Sequence, residues 1–151
     1  MTPHVQKLQI NYKTLEEFRK FRENGLEELS MLEDLKADLV EDHSVSPFYG
    51  IYEEGKLVAR MSLYQIQEKY DRYFEPPTAY HELMKLEVLP GYKGKGYGAM
   101  LVKYAQEQGL PIKTSVRLGA QDFFLKLGFK AAKYDPVRDR GENPYVWNPE
   151  A

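Results

Sequence analysis

Three glycines at alternate positions, Gly94, Gly96 and Gly98, form the stretch of this sequence best suited to chemistry. Lys93 precedes them, and Lys95 and Tyr97 stand between them. Upstream, Leu86 and Val88 alternate as the end of a strand, and Pro90-Gly91 breaks it. Downstream, Ala99, Met100, Leu101 and Val102 begin a helical run to about Glu107. A strand, a glycine turn and a helix N-terminus in succession expose backbone N–H groups that no intrahelical carbonyl can satisfy. Those groups and the helix dipole together favour an anion. Glycine leaves room for a phosphate to approach and permits positive φ. Two phosphate motifs are excluded by spacing. Gly96 is followed by Tyr97-Gly98, not by the Lys-Ser/Thr of a P-loop. Ala99 and Leu101 occupy the places where the last glycine of a dinucleotide motif would fall.

The turn must be carried by a sheet and its crossover helices. Val5 to Ile10 reads as a strand. Thr14 and Glu17 have capping-box spacing ahead of a helix through Leu15, Phe18 and Phe21. After Asn24-Gly25, a second apolar stripe runs from Leu26 to about Glu41. Phe48–Tyr52 and Leu57–Ile66 read as strands joined by a tight turn at Glu53–Lys56. Tyr80–Val88 is the strand entering the glycine turn. A strand at Pro111–Val116, a short helix at Ala120–Leu127 ended by Gly128, and strands at Phe129–Tyr134 and Tyr145–Trp147 complete the chain. Asp135–Asn143 reads as a polar loop. The helical crossover after Val88 predicts one parallel strand pair in an otherwise mostly antiparallel sheet.

At 151 residues, with 42% hydrophobic and 29% charged residues, the chain is expected to be one domain, 1–151, able to bury a core. A net charge of −2 argues against nucleic acid or an anionic membrane as partner. The absence of cysteine excludes disulfides, thiolate metal sites and a cysteinyl acyl-enzyme, and no metal is expected. No apolar run approaches the roughly 20 residues of a membrane span. The N-terminus lacks the pattern of a signal peptide, so a cytoplasmic location is expected.

Lys93-x-x-Gly96-x-Gly98 resembles the Arg/Gln-x-x-Gly-x-Gly/Ala motif of the GCN5-related N-acetyltransferases (GNAT), with Lys93 a mild departure. Leu86-x-Val88-x-Pro90 resembles that family's fourth strand. Ala120-x-x-Phe123-Phe124-x-x-Leu127-Gly128-Phe129 resembles a second family signature. The chain is also similar to small N-acetyltransferases of bacilli. The resemblance spans nearly the whole chain. It implies an α/β (α+β) fold with a mostly antiparallel sheet flanked by helices, in the order β-α-α-β-β-β-α-β-α-β-β.

It further implies acetyl-CoA, or coenzyme A, as cosubstrate and an unidentified amine as acceptor, with a homodimer left open. Pantetheine would pair with backbone near Leu86 and Val88. The pyrophosphate would lie on the amides of Lys93, Gly94, Lys95, Gly96, Tyr97 and Gly98, with Ala99 completing the turn. Such a transfer requires a held thioester, a deprotonated amine, a stabilised oxyanion and a protonated leaving thiolate. With no cysteine to carry the acyl group, attack would be direct, in a ternary complex. Glu87, on the strand beside the expected acyl group, is the candidate base; pairing with Lys85 or Arg60 is its structural alternative. His81 is a weaker candidate. Phe124 stands where the family often has a tyrosine; it has no proton to give and is expected to pack in the core or against pantetheine. Tyr73, Tyr80 and Tyr134 are unranked candidate acids. The competing reading is a non-catalytic acyl-CoA-binding or regulatory module on the same fold.

Overall fold

A computed structural model describes residues 3–23, 46–117 and 119–149. The elements are β1 (Val5–Lys7), α1 (Tyr12–Glu23), β2 (Phe48–Glu53), β3 (Lys56–Ile66), β4 (Tyr80–Val88), α2 (Tyr97–Glu107), β5 (Ile112–Ser115), α3 (Gln121–Lys126), β6 (Lys130–Ala131), α4 (Pro136–Asp139) and β7 (Pro144–Trp147). The helix expected from Leu26 to about Glu41 lies outside the described residues. Among those described, seven strands form one mixed sheet, in the order β1-β2-β3-β4-β5-β7-β6. By internal contacts the chain divides into two units, Met1–Ser62 with Lys85–Leu101, and Leu63–Met84 with Val102–Ala151.

In the first unit, β1 and β2 pair antiparallel, as do β2 and β3. Glu54 and Gly55 both have positive φ, 51° and 80°, the signature of a two-residue I′ turn closing the β2–β3 hairpin. Leu15, Phe18 and Phe21 share one face of α1 and pack with Leu8, Phe48, Leu57 and Leu89. The expected capping box at Thr14 is corrected. The Oδ1 of Asn11 accepts from the Thr14 amide at 2.9 Å, so Asn11 caps the helix. Thr14 is buried, and Glu17 turns aside to accept from the Tyr52 hydroxyl at 2.7 Å. β1 ends at Lys7, short of the expected Ile10.

In the second unit β4 and β5 pair in parallel, with His81 opposite Ile112 and Leu83 opposite Thr114, as the helical crossover predicts. β7 pairs antiparallel with both β5 and β6. Strand β6 is confined to Lys130–Ala131, shorter than expected. The polar stretch expected as loop contains α4. Asp135 caps it by accepting from the amides of Val137 and Arg138, and Pro136 occupies its first turn, where a missing N–H costs nothing.

Asp139, at the end of α4, is buried and accepts from Arg138 Nε at 2.7 Å, Arg138 Nη2 at 2.8 Å and the Asp135 amide at 2.9 Å. The Arg138 guanidinium, foremost, holds its carboxyl well below the usual range, at about 2. An aspartate titrates near 3.9 when unfolded, so the native state binds fewer protons there. This stabilisation is therefore full above about pH 4 to 5 and is lost as pH falls toward about 2. Asp139→Asn is expected to cost about 1–3 kcal/mol at pH 7. Denaturant titrations of both proteins should show the difference shrinking as pH is lowered to about 2. A difference that stays constant with pH would show that Asp139 contributes no charge-dependent stability.

Candidate functional site

The glycine turn begins where β4 leaves the sheet. The Leu89 amide donates to the Val58 carbonyl at 2.9 Å, and the Tyr92 amide to the Leu89 carbonyl at 3.0 Å. Gly91, Gly94 and Gly96 then take φ of +89°, +85° and +84°, and a Cβ built on any of them meets no atom within 4 Å. The turn is therefore shaped by backbone conformation, with open space where side chains at these positions would stand. Helix α2 follows at once. The Gly96 carbonyl accepts from the Met100 amide at 3.0 Å, so Tyr97, Gly98 and Ala99 occupy the first turn, where amides have no intrahelical acceptor. Three donors at a helix N-terminus beside a glycine turn open to its surroundings can hold a phosphate or another anion. Lys93 is exposed at its rim, and Leu86 and Val88 are half-buried on the strand leading in. The sequence-predicted turn residues, Lys93 to Ala99, are thus brought together.

Two of them have other partners as well. Lys95 Nζ lies 3.1 and 3.3 Å from the carboxylate oxygens of Glu53, and the Tyr97 hydroxyl donates to Glu53 Oε2. The Tyr97 hydrogen bond, then Lys95, hold the Glu53 carboxyl below its ordinary range; the same bond raises the Tyr97 phenol. Glu53 is legible in the sequence only as the edge of a hairpin turn. Its partners lie 42 and 44 residues away, and no local pattern announces them.

Glu87 pairs with Arg60. Its Oε1 accepts from Arg60 Nε at 3.0 Å and Nη2 at 2.6 Å. Arg60 is fully buried, its guanidinium carbon 4.7 Å from the Phe18 ring centre and 4.4 Å from that of Phe21. The planar, weakly hydrated guanidinium suits this position between two rings and a carboxylate.

The remaining candidates belong to the second unit. Phe124 is buried, with ring centres of Phe123 and Phe129 at 5.0 and 5.3 Å. The Tyr73 hydroxyl is directed to Asp139 Oδ1 at 3.3 Å, and the Arg138 guanidinium covers the Tyr73 ring at 4.3 Å. Burial, with Glu82 nearby, pushes the Tyr80 phenol up to about 12, and burial pushes Tyr73 up too. Tyr134 is half exposed and accepts from the Gly141 amide at 2.9 Å. The His81 ring is pushed toward its neutral form by burial. Lys113 is buried against Glu82 at 3.1 Å and Glu142 at 3.4 Å, and stays cationic because the two carboxylates and Tyr73 outweigh its desolvation. Among the described residues no helix is long and apolar enough to cross a membrane.

The family model described as the acetyltransferase (GNAT) family matches residues 11–129. The chain belongs to the GNAT acetyltransferase family. An uncharacterized N-acetyltransferase of Brevibacillus brevis is 65% identical to it over 147 residues, covering 97% of this chain and 95% of the relative. The uncharacterized N-acetyltransferase YlbP of Bacillus subtilis is 55% identical, over 97% of this chain and 91% of its own. The crystal structure of Bacillus subtilis YlbP in complex with coenzyme A superposes with a TM-score of 0.82 at 53% identity, over 99% and 98% of the two chains. At 17% identity, the PaiA N-acetyltransferase of Thermoplasma acidophilum shares the GNAT fold, with a TM-score of 0.64 over 98% of this chain and 99% of that one. In this GNAT chain the glycine turn and α2 fall within the matched residues, and Glu53, Arg60 and Glu87 lie within them too.

Proposed function

We propose that this protein is a single-domain, cytoplasmic N-acetyltransferase that moves an acetyl group from acetyl-CoA to an amine by direct attack in a ternary complex. The observation that carries the reading is the open turn of positive-φ glycines ahead of the Tyr97–Ala99 amides. Its donors suit a pyrophosphate, and the YlbP relative was crystallised with coenzyme A. The bound cosubstrate would supply an activated thioester. The chain's own residues would do the holding. Backbone from Lys93 to Gly98 would receive the diphosphate, Ala99 would complete the turn, and Leu86 and Val88 would offer strand edge to the pantetheine arm. An amide near Val88 would face the developing oxyanion. Phe124 would contribute packing only. In this reading Glu87 acts as the counter-charge of Arg60, a role supported by its Oε1 accepting two guanidinium N–H groups.

The non-catalytic acyl-CoA-binding reading draws support from the same two residues, since Phe124 holds no exchangeable proton and Glu87 is engaged by Arg60. Turnover separates the two. The purified protein, given acetyl-CoA and a panel of small amines, peptides and protein lysines, is expected to release free thiol with at least one acceptor. Tight binding of coenzyme A without thiol release across the panel would favour the binding module. No binding of coenzyme A at all would remove both readings.

A further inference from the structure

We propose that Glu53 is a positioning residue for the cofactor turn, holding it in the shape that receives the diphosphate. The proposal rests on the coenzyme A reading above and adds to it a residue outside the recognised motif. The turn needs such a hold. Gly94 and Gly96 sit over open space, so no packed side chain at either position restrains the backbone. Glycine also loses more conformational freedom on ordering than any other residue. A turn built this way binds an anion tightly only if its amides already point together.

Restraint comes from the two ends. At the entrance, Tyr92 packs against the core cluster around Leu89, and its ring is flanked by Lys56 at 5.6 Å and Lys95 at 5.2 Å. At the exit, Glu53 at the end of β2 takes Lys95 through both oxygens and Tyr97 through Oε2. Residues 95 and 97 flank Gly96 on either side, so one carboxylate spans the positive-φ glycine that leads into α2. Glu53 is paired in register with Lys56 across a tight hairpin, a rigid base for the contact. The carboxylate borders an open cleft of about 630 Å³ that also reaches His4 and Gln6. An ion pair so exposed has little intrinsic strength. Its value here is geometric: the Tyr97 ring is buried, and the hydroxyl bond fixes where α2 begins.

The same contacts also have an opposing consequence. Glu53 neutralises Lys95, which would otherwise be a free cation beside a bound phosphate. Removing Glu53 therefore disorders the turn and frees a lysine, with opposite effects on affinity. The geometric loss is expected to dominate, because several amides depend on the turn whereas one solvated lysine contributes a screened charge.

The test compares Glu53→Ala, Glu53→Gln, Tyr97→Phe and the double variant Glu53→Ala/Tyr97→Phe. Coenzyme A affinity is read by calorimetry, and the mobility of the 93–98 amides is read without ligand from NMR order parameters. Glu53→Ala should weaken coenzyme A about tenfold and lower the order parameters of the turn amides. Glu53→Gln keeps an oxygen for the Tyr97 hydroxyl and should recover most of both. The double variant should bind no more weakly than Glu53→Ala, since Glu53→Ala has already removed the contact that Tyr97→Phe removes. Unchanged or tighter binding in Glu53→Ala, or turn order parameters equal to wild type, would overturn the proposal. If the wild-type protein itself fails to bind coenzyme A, the cofactor reading falls, and the order parameters alone decide whether Glu53 holds the turn.

Discussion

Gly96→Val is expected to reduce coenzyme A affinity by at least about a hundredfold in a protein that still folds. Two effects act together. Gly96 has a φ of +84°, where a residue with a Cβ carries about 1–2 kcal/mol of strain and a β-branched one more. The variant can relieve that strain only by moving the turn, which redirects the amides of Tyr97 and Gly98. Each charge-assisted hydrogen bond lost to a phosphate is worth about 1.5–3 kcal/mol. Losing one or two therefore reaches the hundredfold range, since about 1.4 kcal/mol is a factor of ten. The valine side chain would also occupy the space left open beside the turn. Gly109→Ala is the control. Gly109 has a φ of +86° and equally open surroundings, but it lies beyond the end of α2. It should carry the backbone strain without the loss of affinity. Equal coenzyme A binding by wild type and folded Gly96→Val, measured by calorimetry, would exclude the turn as the cofactor site.

The contrast between Gly96 and Glu53 shows what sequence pattern can reach. A glycine turn between strand and helix is a local device, so its residues are adjacent and its spacing is legible. The boundaries of β4, Tyr80–Val88, are legible for the same reason, as strand alternation meets Pro90-Gly91. The parallel pairing of β4 with β5 follows from the crossover helix. Contacts that span the sheet leave no such mark. Glu53 reads as one of two glutamates at a hairpin, and only the folded chain shows that it reaches Lys95 and Tyr97. Helix starts fail differently. Asn11 and Thr14 are both good caps in the same short stretch, and the choice is made by Thr14 being drawn into the core while Asn11 remains at the end. Pro136 after Asp135 carried a cap-and-first-turn signal, masked by the density of charge that follows it.

Arg60→Met is the substitution expected to cost most stability. Arg60 is fully buried between the rings of Phe18 and Phe21, and the Glu87 side chain is 9% exposed. Removing the guanidinium leaves the Glu87 carboxylate in a mostly dry place, and breaking a buried pair from one side costs about 3–5 kcal/mol. For a chain of this size that corresponds to a fall in Tm of roughly 6–20 °C. Replacing both partners reverses the logic. Arg60→Met/Glu87→Met removes both charges and fills similar volume, and such exchanges are often neutral or stabilising. The double variant should therefore regain most of the stability lost by the single one, a coupling that a thermodynamic cycle measures directly. It also decides the role of Glu87. As a counter-charge, Glu87 is dispensable once Arg60 is gone, and the double variant should transfer acetyl within about tenfold of wild type, with whichever amine the wild type accepts. As a general base it is not dispensable, and its loss would lower kcat by about 10²–10⁴-fold whatever stands at position 60. A stable double variant with activity reduced that far would return the proton-accepting role to Glu87. A double variant no more stable than Arg60→Met would show that Arg60 stabilises the fold through the Phe18 and Phe21 rings rather than through its ion pair.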